Sequence, residues 1–188
     1  MKSLLLAAAL LPGLSPEAGA TTFRRLTLEE QVDLSDIIVR GTVTEVWVER
    51  DESGRVWTRA QVYVSEVLKG DKATEFVVVD QLGGEWAGMR MDMPGAARFA
   101  RDEDIVVFID VLRSGAYAPL GMANGKYTVR LDPRIRREIV QRVDIPLERV
   151  YDPRFLPLPS EAMRVEWSDL ATRVRARVAA APTAPAEN

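Results

Sequence analysis

A mainly β fold with flanking helices is what this sequence predicts, its strands curled into a small barrel with a carboxy-terminal helix packed on the outside. Three observations predict it. Two long alternating segments, Ile37 to Arg50 and Arg55 to Leu68, each shift apolar phase partway along, as strongly coiled barrel strands must. Three further strand patterns follow before residue 132. The only sustained apolar stripe of helical period lies near the carboxy terminus.

Met1-Lys2 gives a positive start, and Ser3 to Leu14 is rich in leucine and alanine. Pro12, Gly13 and Pro16 break the run, and Ala18-Gly19-Ala20 supplies small residues at cleavage spacing. This is the pattern of a secretory signal peptide over residues 1–20, cleaved after Ala20. The run is shorter than the ~20 residues that span a bilayer, and nothing later reads as a transmembrane helix. The expected product is exported, periplasmic or extracellular, with no membrane span.

The 188 residues include no histidine and no cysteine. Those two zeros exclude disulfides, thiol nucleophiles, a Ser-His-Asp triad and every histidine or cysteine metal ligand. They also remove the cysteine that lipid anchoring at a cleavage site needs. With 47% hydrophobic residues, the chain has enough apolar material for a core without staples.

Thr27-Leu28-Glu29-Glu30 reads as a capping box opening a short helix that ends near Ser35-Asp36. Along Ile37 to Arg50, Ile37, Val39, Gly41 and Val43 share a face before the phase moves to Val46 and Val48, which predicts a bulge. Asp51 to Gly54 is a turn. In the second strand Val56, Ala60, Val62 and Val64 alternate with Trp57, Arg59, Gln61 and Tyr63, and the phase shifts again before Val67. Phe76 to Leu82 is apolar on both faces and is expected to be central. Residues 83–100 read as irregular. Ile105 to Leu112 is a fourth strand and Tyr117 to Leu131 a fifth, broken near Ala123-Asn124-Gly125. Five strands with a long insertion between the third and fourth follow the OB-fold plan, so residues 21–132 are expected to form an OB-like β-barrel domain with a short amino-terminal helix.

Residues 133–180 are expected to be a proline-rich extension and a helix. Pro133, Pro146, Pro153, Pro157 and Pro159 crowd the first part, where Arg134 to Arg142 is the only helical pattern. Ser160 caps a predicted helix running to about Ala180, with Met163, Trp167, Leu170, Val174 and Val178 as its stripe. That stripe is expected to pack back on the barrel. Residues 181–188 read as a disordered tail. Residues 21–132 carry 14 basic and 19 acidic side chains against 10 and 8 in residues 133–188, so opposite charge favours this docking.

The run Ser35-Asp36-Ile37-Ile38-Val39-Arg40-Gly41-Thr42-Val43, with Val67-Leu68-Lys69-Gly70 closing the second strand, resembles netrin-like modules, including tissue inhibitors of metalloproteinases. Pro94-Gly95-Ala96-Ala97-Arg98-Phe99 and Gly121-Met122-Ala123-Asn124-Gly125-Lys126-Tyr127 are similar to segments of a group of uncharacterised exported bacterial proteins with the same succession. The resemblance covers roughly residues 22–130 and implies an OB-like barrel and a secreted binding role. Those inhibitors use an amino-terminal cysteine and disulfides, which this chain lacks; the free amine of Thr21 is what would remain to approach a metal.

The segment 83–100 is the candidate site, because so long a connection is usually functional. Trp86, Arg90, Met91, Glu85 and Asp92 are its expected binding residues, mixing charge with soft apolar groups. The competing expectation is a lid, with Trp86 and Phe99 plugging the barrel. Asp80, Glu85 and Asp92 could serve a carboxylate hydrolase of envelope glycans if held about 5–10 Å apart. Asp51-Glu52 and Asp102-Glu103-Asp104 read as solvated turns. An aromatic and basic face of Trp47, Trp57, Arg59 and Tyr63 is expected to pack under the carboxy-terminal segment rather than bind nucleic acid, since the acidic balance of residues 21–132 repels phosphate. No catalytic residue, metal or cofactor is assigned. The function expected is a non-catalytic binding module for an extracytoplasmic protein or envelope component, with inhibition of an exported metalloprotease and the hydrolase as alternatives.

Overall fold

The computed structural model describes residues 23–24, 26–142, 150–151 and 163–181. The expected signal peptide, Thr21, most of the proline-rich run, the Ser160 cap and residues 182–188 lie outside the described residues.

The elements in order are β1 (Phe23–Arg24), α1 (Leu28–Leu34), β2 (Ile37–Arg50), β3 (Val56–Lys69), β4 (Phe76–Leu82), β5 (Gly84–Trp86), β6 (Met89–Met91), β7 (Asp104–Val111), β8 (Tyr117–Pro119), β9 (Lys126–Asp132), β10 (Arg137–Arg142), β11 (Val150–Tyr151), β12 (Arg164–Glu166) and α2 (Trp167–Ala180). The fold is mainly β with two helices. An eight-stranded sheet runs β12-β10-β9-β7-β2-β3-β4, with β8 also on β7; β5 pairs β6, and β1 pairs β11 in parallel.

The bulges sit where the apolar phase shifts. Val43 pairs Val62 and Glu45 pairs Gln61, leaving Thr44 as the extra residue. Further register shifts on β3 fall around Ser65 and Leu68. These kinks curl the sheet, but backbone pairing does not close it into a barrel. The edges β4 and β8 approach within 8 Å between Cα atoms, and Tyr117 N–H donates to Asp80 Oδ2 at 3.3 Å. The fifth predicted strand splits for a packing reason. A 3-10 turn at Met122–Gly125 separates β8 from β9, and a Cβ on Gly125 would lie 2.6 Å from the Leu120 backbone.

Three sequence expectations are corrected. The strand β4 is not central but ends the pairing path; its outward Phe76 is half exposed and rests on Tyr63, ring centroids 5.3 Å apart. Arg134 to Arg142 is not a helix, because β10 pairs β9 along its whole length and places Ile139 and Val140, on opposite faces, in buried positions. The carboxy-terminal helix begins at Trp167 rather than Ser160, because Arg164–Glu166 is taken up as a strand on β10. Arg137–Arg142 and Arg164–Glu166 therefore extend the sheet.

Two apolar layers lie on the two faces. On one, Ile38, Leu68, Val106, Phe108, Tyr127, Val129 and Val140 meet Leu28 and Val32 of α1 and Leu170, Ala171 and Val174 of α2. On the other, Val39, Val43, Ala60, Val62, Val77, Val79, Ile105, Val107 and Ile109 form a second cluster, with Phe99 and Tyr117 packed against it. The capping box is formed: Glu30 N–H donates to Thr27 Oγ1 at 3.1 Å and Thr27 N–H to Glu30 Oε2 at 2.8 Å. The expected stripe docks α2, and charge joins it: Arg173 pairs Glu29 at 2.7 Å, Arg177 pairs Asp33 at 2.6 Å, and Arg175 pairs Glu66.

Candidate functional site

The residues that carry the resemblance are spent on architecture. Ser35 Oγ donates to the Gln31 carbonyl at 2.7 Å, and Asp36 Oδ2 accepts the Val111 N–H at 2.7 Å, which ties the start of β2 to the end of β7. Lys69 Nζ donates to the Val32 carbonyl at 2.8 Å and also to that of Ser35, filling orphan acceptors at the end of α1. Arg40 pairs with Asp104 at 2.6 Å and with Glu138, and its guanidinium lies 4.8 Å from the Trp167 ring centroid. Those bonds, Glu138's first, push the Arg40 pKa up, while Arg40 holds the Glu138 carboxyl below its usual range. Gly41 is where β3 comes closest: a Cβ there would sit 2.2 Å from the Tyr63 carbonyl oxygen.

The segment 83–100 divides in two. Its first half is a hairpin rather than irregular chain, with Glu85 opposite Arg90 and Trp86 opposite Met89. The connecting Ala87 and Gly88 both have positive φ, 48° and 78°, as a tight two-residue hairpin turn needs. Gly83 and Gly84 make the entry possible. Gly83 N–H donates to the Val56 carbonyl, Thr58 Oγ1 donates to the Gly83 carbonyl at 2.7 Å, and a Cβ on Gly84 would meet Thr58 Oγ1 at 2.6 Å. The hairpin leaves that anchor with Trp86 38% and Met89 41% exposed. Arg50 lies 5.9 Å from the Trp86 ring centroid. Arg90 bonds Asp92 at 2.8 Å in the open, and that carboxylate raises the Arg90 pKa. Glu85 is exposed and Met91 half buried.

The second half is bound in. Ala97 N–H donates to Gln81 Oε1 at 3.0 Å, Ala123 N–H to the Gly95 carbonyl at 3.0 Å, and Lys126 Nζ to the Arg98 carbonyl at 2.6 Å. Phe99 packs on the second apolar cluster. Of the two residues expected to plug the core, Phe99 does so and Trp86 does not.

The carboxylates are dispersed. Asp80 faces Arg59 at 3.0 Å at the β4–β8 seam, at an angle outside hydrogen-bond geometry, and burial raises its pKa. Glu85 and Asp92 belong to the exposed hairpin, and among the described residues no three acidic side chains gather closely enough to hold a metal ion. The acidic turns are not simply solvated. Asp51 accepts from Ser53, Trp57 and Arg55, which holds its carboxyl far below the usual range, Ser53 first. Glu103 pairs at 2.6 Å with Lys126, only 4% exposed, and also accepts from Thr128 Oγ1 at 2.6 Å. Burial lowers the Lys126 pKa against that pairing. Sequence reading missed this pair; the one available signal was a lysine inside a strand pattern, between Gly125 and Tyr127.

The aromatic face also differs from expectation. Trp57 Nε1 donates to Asp51 at 2.9 Å, Trp47 Nε1 to Glu49 at 3.3 Å, and Tyr63 is 51% exposed against Phe76. These side chains are held by neighbours on β2–β4 and in the Asp51 turn, whereas α2 covers the opposite layer of Ile38 and Phe108.

No family model matches the chain, and no curated protein is significantly similar to it. Among the described residues no helix is long and apolar enough to cross a membrane.

Proposed function

We propose that the protein is an exported, non-catalytic binding module with an OB-like, half-closed sheet, and that the β5–β6 hairpin is its contact surface. Trp86 and Arg90 are the principal contacts, with Met91, Glu85 and Asp92 beside them. The partner is an extracytoplasmic protein or envelope component.

One observation carries this. Trp86 and Met89 stand exposed on a short hairpin anchored at its base by Gly83 and Thr58. Aromatic, methionine and arginine side chains are the groups enriched at protein contacts, and a preformed turn lowers the ordering cost of binding. The absence of histidine and cysteine from the whole sequence favours recognition over nucleophilic chemistry. Export rests on the amino-terminal pattern of residues 1–20, and the OB-like plan on the bulged β2–β3 pair and the near approach of β4 to β8.

Capture from envelope extract tests the proposal. Wild type and a Tyr63→Ala/Phe76→Ala control retain the same component, and Trp86→Ala/Arg90→Ala loses it. Retention by the hairpin variant at wild-type level overturns the assignment.

A further inference from the structure

A second surface lies at the turn between β9 and β10. Leu131 is 67% and Ile135 51% exposed, two aliphatic side chains four residues apart on one hairpin tip. Arg130, Arg134 and Arg136 interleave with them, and none makes an ion pair or side-chain hydrogen bond among the described residues. The tip is preformed. Arg136 N–H donates to the Asp132 carbonyl at 2.8 Å with Arg136 at φ 55°, and Asp132 Oδ1 accepts the Arg134 N–H at 2.9 Å. Beside it is a shallow basin of about 300 Å³ lined by Arg130, Arg134, Ile139, Gln141 and Arg164, with Asp132 engaged by Arg164.

We propose that this hairpin docks the protein on an anionic phospholipid surface. The guanidinium groups of Arg130, Arg134 and Arg136 meet lipid phosphates, and Leu131 and Ile135 enter the boundary between headgroups and acyl chains. Clustered cations beside exposed aliphatic groups are the chemistry of interfacial binding. Charge complementarity is local. Residues 21–132 hold 19 acidic against 14 basic side chains, so an anionic leaflet repels most of that segment while attracting the tip, which orients the molecule. A nucleic-acid strand would require aromatic platforms beside the cations, and residues 128–142 contain no aromatic residue. An acidic protein would satisfy the arginines but would need a fitted pocket for each aliphatic group, where a lipid layer yields to both. The proposal is independent of the partner taken by the β5–β6 hairpin.

Vesicle co-sedimentation of the whole chain tests it, using phosphatidylcholine alone and phosphatidylcholine mixed with phosphatidylglycerol. Wild type prefers the anionic vesicles, and added salt reduces the preference. Arg130→Gln/Arg134→Gln/Arg136→Gln lowers partitioning about a hundredfold, from roughly fivefold per arginine near an anionic surface. Leu131→Asn/Ile135→Asn also weakens it. A charge-matched control, Arg98→Gln/Arg101→Gln/Arg113→Gln, stays near wild type. All variants change exposed side chains, and an unchanged thermal unfolding curve verifies their fold. The proposal is overturned if wild type shows no preference for anionic vesicles, or if the control falls as far as the hairpin variant. It is equally overturned if wild type ignores both vesicles while the arginines prove necessary for capturing an acidic protein.

Discussion

The two halves of the segment 83–100 have opposite fates. Residues 84–92 turn back on themselves and present Trp86, Met89 and Arg90 outward. Residues 95–100 are fastened by Gln81, Ala123 and Lys126 and place Phe99 on the core. What separates them is where backbone hydrogen bonds are satisfied. The first half pairs with itself and leaves its side chains free. The second half has no strand partner, so buried side chains and the Gly95 and Arg98 carbonyls complete its bonding, which fixes it. A core-packed segment and the proposed contact surface are thus adjacent pieces of one connection.

Across the whole molecule the same contrast holds: buried layers on both faces of the sheet hold the fold together, while the exposed hairpin is the proposed contact surface. Its strongest test is truncation. A chain ending at Asp132 loses β10, β12 and α2 and uncovers Phe108, Tyr127 and Val129, so it is expected to give no cooperative unfolding transition by circular dichroism. A wild-type transition would show that the carboxy-terminal elements only decorate the sheet.

Single substitutions follow at smaller scale. Gly41→Ala forces a methyl against the Tyr63 carbonyl, and backbone there has little room to yield; a loss of about 3 kcal/mol in urea unfolding is expected. Lys126→Ala leaves the Glu103 carboxylate without its buried partner, and a loss of about 3 kcal/mol is expected. Trp86→Ala, by contrast, should change stability by less than about 0.5 kcal/mol if the hairpin is independent of the core.

Acid should act both at the β2–β3 turn, where bonds from Ser53, Trp57 and Arg55 hold the Asp51 carboxyl far below its usual range, and on the helix-covered side. Glu29, Asp33 and Glu138 are held below their usual values by hydrogen bonds to Arg173, Arg177 and Arg40 respectively. A carboxyl depressed in the folded state contributes stability above its unfolded pKa, near 4.5 for glutamate and 3.8 for aspartate, and that contribution disappears as pH falls through the folded value. Asp80 runs the other way. Burial raises its folded pKa, so acidification protonates it first in the folded state and relieves a penalty there. Thermal melts from neutral to acid pH should therefore fall, and Arg40→Gln should flatten part of that fall by releasing Glu138.

Much of the fold was legible because one apolar period was enough to reveal it. Thr27 and Glu30 announced the cap, the phase change between Val43 and Val46 announced the bulge at Thr44, and Leu170 and Val174 announced the docked face of α2. Arg134 to Arg142 misled because Ile135 and Ile139 stand four apart, a helical spacing, while pairing with β9 decides the outcome. Phe76-Val77-Val78-Val79 looked central because the run is apolar on both faces, whereas only the alternate residues Val77 and Val79 are buried. The Glu103–Lys126 pair and the triple of Arg40, Asp104 and Glu138 left almost no trace, since their members are brought together only by topology. Trp86, Arg90, Glu85 and Asp92 are legible in the sequence as exposed residues of the segment, but Met91 is half buried and the exposed methionine is Met89. The turn at Ala87-Gly88 is hidden too, because an alanine occupies a position that usually favours asparagine or glycine.

The division between the two halves is tested most directly by measuring capture and thermal unfolding together on two variants, Trp86→Ala/Arg90→Ala and Phe99→Ala. The hairpin variant should unfold with the wild-type midpoint and lose the envelope component, while the Phe99 variant should unfold at lower temperature and, below that temperature, retain it. A hairpin variant that keeps its component, or a Phe99 variant that loses it while folded, would contradict the account.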